Sequence, residues 1–449
     1  MNIILLSGGS GKRLWPLSNE IRSKQFIKMF RREDGTLESM VQRVYRQIKG
    51  SVGEDTRVTI ATSRSQVSSI RNQLPHDVNV CVEPARRDTF PAVALSCMYL
   101  AEVLHVDPAE PVIVCPVDPC VDDEYFDCFP RLAELAASDR WNIALMGVKP
   151  TYPSEKYGYL VPEDPQAPVS NVTNYTEKPD LPGARALLAQ GALWNCGVFA
   201  FRLEYMLGRA AELLPYTKYQ ALYDNYADCE KISFDYAVGE KERSEGVLVY
   251  DRKWKDIGSW NTLAEEMHED VIGKGILDQT CRDSNIVNEL DIPILGMGLE
   301  HVIIAASNDG ILVADKHQSS YMKPLVEQLS PQVRYAEKSW GSFTILDVGA
   351  HALTIRIRLM PGHRLHYHAH ERRSEVWTVT RGEGTVILDD ERREVAPGAV
   401  IELPIGAKHT ILAKTELEVI EVQLGDDIRV DDKIKYEDPF PEGPEAANA

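Results

Sequence analysis

The stretch NIILLSGGSGKR, residues 2–13, decides how the first half of this chain is read. A short apolar, β-favouring run from Asn2 to Ser7 passes directly into Gly8, Gly9, Ser10, Gly11, Lys12 and Arg13. Glycines let the backbone approach an anion closely, so consecutive N–H groups can point at phosphate oxygens. Lys12, Arg13 and, further on, Lys24 add positive charge. The same cluster would also serve a tight turn with basic residues on the surface. Two named phosphate motifs are absent. Arg13 follows Lys12, so the loop is not GxxxxGK closed by Ser or Thr, and it holds no GxGxxG.

Working outward, similar apolar runs recur at RVTIATS (57–63), PVIVCPV (111–117), NIALMGV (142–148) and GVFAFR (197–202). They are short, continuous and β-rich, which predicts a mainly parallel sheet covered on both faces. Between them, TLESMVQRVYRQIKG (36–50) and FPAVALSCMYLAEVL (90–104) carry apolar residues at helical spacing. Residues 1–265 therefore read as an α/β layered domain. From 266 to 332, short apolar pieces are separated by Asn, Asp and Gly before a helix-like SYMKPLVEQL, which suggests a small β-rich connector. From 333 to 449 the period becomes two. Leu353, Ile355, Ile357 and Leu359 share one face, with Thr354, Arg356 and Arg358 on the other. VWTVTRGEGTVILDD (376–390) reads as a hairpin, and AVIELP, HTILA and LEVIEVQL follow at regular spacing. That pattern predicts a small antiparallel barrel or sandwich.

Composition narrows the class. With 449 residues the chain is too long for one compact core. Lys+Arg 49 against Asp+Glu 68 gives a formal net charge of −19. Duplex DNA and anionic membranes both need a clustered cationic footprint, so neither is expected as a partner. No apolar run reaches the roughly 18 residues of a membrane span. The first residues lack the charged region of a signal peptide, and a cytoplasmic protein is expected. The eight cysteines form no CxxC pair, against a disulfide framework or zinc ribbon. The histidines carry more information: four of eleven fall in HRLHYHAH, residues 363–370, and His409 follows.

Read at greater length, GGSGKRLWPLS followed by Lys24-Gln25-Phe26 resembles the signature of nucleotidyltransferases that make nucleotide sugars. Within them it is similar to the mannose-1-phosphate guanylyltransferases. Glu83-Pro84 with Arg87 and Thr89-Phe90-Pro91-Ala92, then Pro116-Val117-Asp118, Tyr157-Gly158-Tyr159 and Glu177-Lys178-Pro179 match that family in order. Trp194-Asn195-Cys196-Gly197, Asp235-Tyr236-Ala237-Val238 and the run Trp254 to Trp260 complete the series, so the resemblance spans essentially the whole chain. It implies a Rossmann-like, GT-A-like nucleotidyltransferase domain that joins GTP to a sugar 1-phosphate. Asp118 and Asp256 each follow a strand-like segment and could together hold one Mg²⁺, a hard ion that takes oxygen ligands. On this reading Gly8, Gly9, Ser10, Gly11 and Lys12 cradle the nucleotide. Arg13 steadies the triphosphate, and Lys24 and Lys178 hold the attacking phosphate. Glu177, Asn195 and Gly158 meet the sugar, and Glu83 and Arg87 lie near the base. A homo-oligomer, most simply a dimer, is expected.

The sequence departs from the family in places. Pro119-Cys120 follow Asp118 where His and a β-branched residue are usual, Asp88 stands where Asn is usual, and Lys12 replaces a Thr. Glu155-Lys156 replaces Thr-Gly before the YGY element.

The later histidines obey a second spacing. Gly362, His368, His370, Glu375 and Gly382 resemble the first cupin motif, and Gly398, Pro404, Gly406 and His409 the second. HxH on a strand puts both imidazoles on one face. With Glu375 and His409 they form a three-His, one-carboxylate set suited to Zn²⁺, Fe²⁺, Mn²⁺ or Ni²⁺. In related bifunctional proteins such a C-terminal cupin adds mannose-6-phosphate isomerase activity. Here the pattern close to QxHHHRxEHW reads His368-Ala369-His370-Glu371-Arg372-Arg373-Ser374-Glu375-Val376-Trp377. Isomerisation needs a positioned acid/base, and the altered groups argue against it.

Overall fold

The computed structural model describes residues 1–9, 12–19, 21–267, 269–329, 333–429, 431–437 and 439–440. Ser10 and Gly11, named above as loop candidates, lie outside the described residues. The chain forms two compact units. The first comprises residues 1–10, 24–67 and 73–268, and the second comprises residues 11–23, 68–72 and 269–449. No helix among the described residues is long and apolar enough to cross a membrane.

The first unit is built on a nine-stranded sheet. Its strands are β1 (Asn2–Leu6), β2 (Arg57–Ser63), β3 (Asn79–Glu83), β4 (Pro111–Pro116), and then, after a short β5 (Pro119–Val121) outside the sheet, β6 (Ile143–Val148), β7 (Gly158–Pro162), β8 (Val169–Thr176), β9 (Leu193–Arg202) and β10 (Glu245–Tyr250). The order is β3-β2-β1-β4-β9-β6-β10-β8-β7. Strands β3, β2, β1 and β4 run parallel, but β9 runs antiparallel to both β4 and β6, and β8 is antiparallel to both its neighbours. The expectation of a mainly parallel sheet thus holds for one half only. Ile143 to Val148 is buried throughout and Leu193 to Arg202 almost throughout, and a strand buried on both faces reads as a continuous apolar run whichever way it points.

Helix α1 (Met40–Val52) starts at Ser39, whose hydroxyl accepts from Gln42 N while the Gln42 side chain reaches back, a reciprocal cap. Helix α2 (Thr89–Glu102) is buried on nearly every face and centres the core that includes Val93, Leu145, Phe199 and Phe234. Its cap is Asp88, at φ 69°, whose carboxylate accepts from Thr89 N. Asp88 thus caps the helix as the usual Asn would. A two-stranded ribbon pairs β5 with β11 (Trp254–Asp256), setting Asp256 against Pro119.

In the second unit, three parallel strands stack in rungs: β12 (Val271–Gly273), β13 (Asn285–Asn288) and β14 (Val302–Ser307). β15 (Gly310–Asp315) folds back antiparallel. The early segment 12–23 belongs to this unit by its contacts. Arg22 grips Glu289 with both Nη atoms at 2.8 and 2.9 Å, Ser307 Oγ donates to Pro16 O at 2.6 Å, and Asn19 Nδ2 donates to Asp309. The helix near 320–329 spans Lys323–Leu329.

Tyr335 to Lys435 of this unit carry two antiparallel sheets of six and five strands. The six-stranded sheet contains β16 (Ala352–Leu359), β18 (Ser374–Arg381) and β21 (Leu417–Leu424), and the five-stranded one contains β17 (His368–Ala369), β19 (Gly384–Leu388) and β20 (His409–Ala413). Trp377, Leu403, Ile411 and Val419 fill the space between them. One expectation is corrected here. β18 and β19 do not form a hairpin; they belong to different sheets. Gly382, at φ 80° and with the Glu416 carbonyl where a Cβ would stand, turns the chain from one sheet into the other. Period-two patterning and a glycine turn are common to a hairpin and a sheet-to-sheet crossing, so the sequence does not separate them.

Candidate functional site

Two constellations form, one in each unit. In the first, β4 ends at Pro116 and the chain bends through Asp118 into β5. Because β11 pairs with β5, Asp256 lies beside Asp118, and Ile257 N donates to Asp118 O at 3.4 Å. Lys24 crosses both strands: its Nζ donates to Asp118 Oδ2 at 2.8 Å and to Ile257 O at 2.8 Å. Below it, Gln25 Nε2 donates to Ser7 O at 3.0 Å, and Gln66 Nε2 to Gly9 O at 3.3 Å, which fixes the exit of β1 where Gly8 and Gly9 are exposed.

Asp118 and Asp256 line a cavity of about 200 Å³ together with Pro116, Lys156, Tyr157, Gly158, Glu177, Asn195, Asp235 and Trp254. Gly158 leaves little room for a side chain. A Cβ there would overlap Glu177 Oε2 and stand 3.1 Å from Tyr175 Cε2 and 3.3 Å from Asn195 Cβ. Glu177 takes Lys178 as its ion partner, and its own N–H donates to Glu240 at 2.8 Å. Burial and the nearby Asp235 push the Glu177 carboxyl upward, against the pull of Lys178. Asn195 is fully engaged. Its Nδ2 donates to the Tyr175 hydroxyl and, at 3.0 Å, to Asp235 Oδ1, while its Oδ1 accepts from Gly197 N at 3.0 Å. The Tyr175 hydroxyl in turn donates to Asp235.

Further along the sheet, Glu83 is buried at the end of β3 and accepts from the Tyr226 hydroxyl at 3.0 Å. A Cβ on Gly8 would lie 3.5 Å from Glu83 Oε1, so carboxyl and glycine loop are neighbours. Burial lifts the Glu83 carboxyl to about 7. Arg87 turns onto the Ala227 carbonyl. Lys12 begins and Arg13 continues a short turn, Lys12–Leu14, that belongs to the second unit, where Arg13 is exposed. The structure therefore brings together Lys24, Asp118, Gly158, Glu177, Lys178, Asn195 and Asp256, and sets Gly8 beside Glu83.

Asp235, Lys156 and Trp254 also line the cavity, and Tyr175 holds Asn195 and Asp235 from behind; sequence reasoning gives none of them a role. Asp235 sits in the quoted DYAV element, but nothing in a four-residue helix, Phe234–Ala237, tells which side chain faces the cavity.

In the barrel, strand register assembles the second constellation. β17 and β20 pair His368 directly with His409, and HxH carries His370 to the same pocket. Ring centroids are 4.3 Å apart for His368–His409, 4.8 Å for His368–His370 and 5.3 Å for His370–His409. Each Nδ1–H is spent on a backbone carbonyl: His368 on His366 O at 2.6 Å, His409 on Ala407 O at 3.0 Å, and His370 on Asp432 O. The three Nε2 atoms thereby face the interior, where Arg373 Nη2 donates to His370 Nε2 at 3.2 Å. One ring nitrogen from each histidine lies within 4.8 Å of the others. Glu375 stands 3.0 Å from His370 Nε2 and 3.5 Å from His409 Nε2, but is also held by Arg373 Nε at 2.9 Å and Trp377 Nε1 at 3.2 Å. Arg373, Trp377 and a buried Glu421 complete the surroundings. Burial and Glu375 lift the Glu421 carboxyl to about 8.

Comparisons with known proteins find two matching family models. A family model described as nucleotidyl transferase matches residues 2–271, and one described as mannose-6-phosphate isomerase C-terminal matches residues 327–438. The chain is 28% identical over 473 residues to the xanthan biosynthesis protein XanB of Xanthomonas campestris pv. campestris, covering 97% of this chain and 98% of that protein. It is 28% identical over 481 residues to a mannose-1-phosphate guanylyltransferase of Klebsiella pneumoniae, with the same coverage. It is 29% identical over 482 residues to the alginate biosynthesis protein AlgA of Pseudomonas putida, covering 97% and 96%. A crystal structure from Thermus thermophilus, described as a mannose-1-phosphate geranyltransferase, aligns with a TM-score of 0.63 at 27% identity, over 73% of this chain and 98% of that one.

Proposed function

The chain belongs to the nucleotidyl transferase family, and from that premise we propose that it transfers a guanylyl group from GTP to mannose 1-phosphate, giving GDP-mannose and pyrophosphate. The observation that carries this reading is the β5–β11 ribbon, whose register puts Asp256 next to Asp118 at the rim of one cavity, with Lys24 across both strands. Two adjacent carboxylates beside a cation fit Mg²⁺, which takes oxygen ligands. When bound, that ion supplies charge neutralisation at the triphosphate.

The protein's own part is alignment. A phosphate oxygen of the sugar 1-phosphate attacks the α-phosphorus of GTP. The new P–O bond forms as the bond from α-phosphorus to the bridging oxygen breaks, and pyrophosphate leaves with that electron pair. Asp118 and Asp256 would hold the metal, and Lys24 keeps Asp118 in place. Gly158 lets the sugar approach the backbone beside Glu177. Asp235 and Glu177 offer carboxylate acceptors for sugar hydroxyls, Asn195 being tied to Tyr175 and Asp235. Glu83 and the β1 exit face the base end of the nucleotide.

In the barrel, three converging Nε2 atoms fit a borderline metal such as Zn²⁺, with His368, His370 and His409 as ligands and Glu375 as the fourth donor or as the partner that orients His370. His409 Nε2, buried with no hydrogen-bond partner among the described residues, supports the fit.

The test is pyrophosphate release with Mg²⁺ over a grid of nucleoside triphosphates and sugar 1-phosphates. A sharp maximum at GTP with mannose 1-phosphate is expected. A maximum at another pair would move the substrate assignment, and no turnover on the grid would overturn the reading.

A further inference from the structure

One buried side chain, Arg373, binds two of the groups that would hold a metal in the barrel. It stands just before β18. Its Nη2 donates to His370 Nε2 at 3.2 Å, and its Nε donates to Glu375 Oε1 at 2.9 Å. The His370 Nδ1–H donates to the Asp432 carbonyl, and a guanidinium can only donate, so Nε2 is the acceptor. Glu375 Oε1 and His370 Nε2 lie 3.0 Å apart. Two acceptors that close need a common cation, and Arg373 supplies it through two N–H groups of one fork. A metal bound by these residues would make the same demand on the same lone pair of His370, and one lone pair cannot serve both.

The remaining arm of the fork is anchored elsewhere. Nη1 donates to Arg429 O at 2.8 Å and to Asp432 O at 3.3 Å, and it lies 3.7 Å from Asp432 Oδ2. A guanidinium is planar and rigid, so Nη2 cannot leave His370 while Nη1 and Nε keep their places. Asp432 also holds the chain beyond His370, its carboxylate accepting from Glu371 N at 2.9 Å and Arg372 N at 3.1 Å. Asp432 N in turn donates to Arg429 O at 3.3 Å, the carbonyl that Nη1 binds.

We infer that Arg373 and a metal ion are alternative occupants of His370 Nε2, so that loading the barrel requires Arg373 to withdraw and frees Arg429 and Asp432 from it. This rests on the proposed reading of the three histidines as metal ligands. The inference has a sign. A side chain that merely orients a ligand strengthens metal binding, and its removal weakens affinity by about tenfold to a hundredfold. A side chain that takes a ligand's lone pair weakens metal binding, and its removal strengthens it.

The experiment uses the full chain and its Arg373→Met and Arg373→Lys variants, with Zn²⁺ affinity measured by competition against a chromophoric chelator. Arg373→Met should bind Zn²⁺ about tenfold to a hundredfold more tightly than the parent, the effect of one charge-assisted bond no longer in competition. Arg373→Lys keeps the charge but lacks the fork that reaches both acceptors, and its affinity should fall between the two. Equal or weaker binding in Arg373→Met, or binding in Arg373→Lys no tighter than in the parent, would overturn the inference and leave the metal reading in place. Should Arg373→Met fail to fold, the parent alone decides through hydrogen exchange. Adding Zn²⁺ should quicken exchange of the Asp432 amide by about threefold or more, since the contacts of Nη1 that hold this segment are lost. Unchanged or slower exchange there, with Zn²⁺ bound, would also overturn it. If neither the parent nor a folded Arg373→Met bound Zn²⁺, the metal reading and the inference would fall together.

Discussion

The cavity of the first unit and the histidine cluster of the barrel gather their donors by opposite means. In the cavity, Asp118 and Asp256 come from distant parts of the sequence and meet through a ribbon of three residues on each side, with a lysine laid between them. The Asp118 side chain remains 31% exposed. In the barrel, His368, His370 and His409 are at most 4% exposed, and each ring is oriented by a backbone carbonyl. The first arrangement is open, charged and adjustable, as polyanionic substrates require. The second is dry and rigid, as a resident cation requires. Charge compensation comes from neighbouring side chains in one and from ring tautomers in the other, so the two should answer differently to the same perturbation.

The largest difference should come from removing a carboxylate. Asp256→Ala is expected to lower the rate of guanylyl transfer by about a thousandfold or more, since charge neutralisation at phosphorus is the main catalytic term. Its melting transition should stay close to that of the parent, because Asp256 lies at a half-exposed ribbon end. A variant that kept near-normal turnover in Mg²⁺ would remove Asp256 from the site. Next in size is Gly158→Ala. The added methyl must displace the Glu177 carboxylate or the Tyr175 ring, and a roughly hundredfold fall in kcat/KM for mannose 1-phosphate is expected, the order of effect that small misplacements of a substrate produce. A loss shared with the KM for GTP would place Gly158 in the wrong half of the site.

The two regions also differ in how far the sequence reveals them. The barrel's histidine cluster is readable almost in full, because HxH on one strand puts two rings on one face and the resemblance to the cupin motifs adds His409. What escapes is the company they keep: Arg373 is held by a contact to Glu375 two residues on, and Glu421 by a cross-strand neighbour. In the first unit the strands and the glycine loop are legible, but not the direction of β9 or the packing of residues 11–23 with the second unit, since burial on both faces hides direction and long-range packing leaves no local trace. Asn195 shows the limit most clearly. Its amide suits a hydroxyl-rich ligand by chemistry alone, yet the fold commits both ends of it to Tyr175, Asp235 and Gly197.

Both regions contain a carboxyl raised by burial, and the one near the glycine loop gives a test through pH. Glu83 moves from an ordinary 4.5 to about 7. The folded protein therefore holds this proton between those values while the unfolded chain releases it, so the stability it contributes is present below about pH 4.5 and is lost as pH rises towards 7. The loss is about 3 kcal/mol at most, and above pH 7 it is constant. Glu83→Gln, neutral at every pH, should melt higher than the parent at pH 8 and at about the same temperature at pH 4.5. Equal melting shifts at both pH values would show that Glu83 titrates in the folded protein as it does in the unfolded chain.

The smallest expected effect on guanylyl transfer comes from the barrel, and it bears most directly on whether the two regions are separate. His409→Ala removes one of three converging ring nitrogens. Glu375 is poorly placed to replace it, since Arg373 Nε and Trp377 Nε1 already hold its oxygens. Metal retained after dialysis, measured by atomic emission, should fall well below one per chain. Transfer from GTP to mannose 1-phosphate should remain within about twofold of the parent, because His409 belongs to the second unit while Asp118 and Asp256 belong to the first. A large loss of transfer, with the first unit still folded by circular dichroism, would mean that the barrel governs the transferase, and the open site and the dry one would then have to be read as a single coupled device.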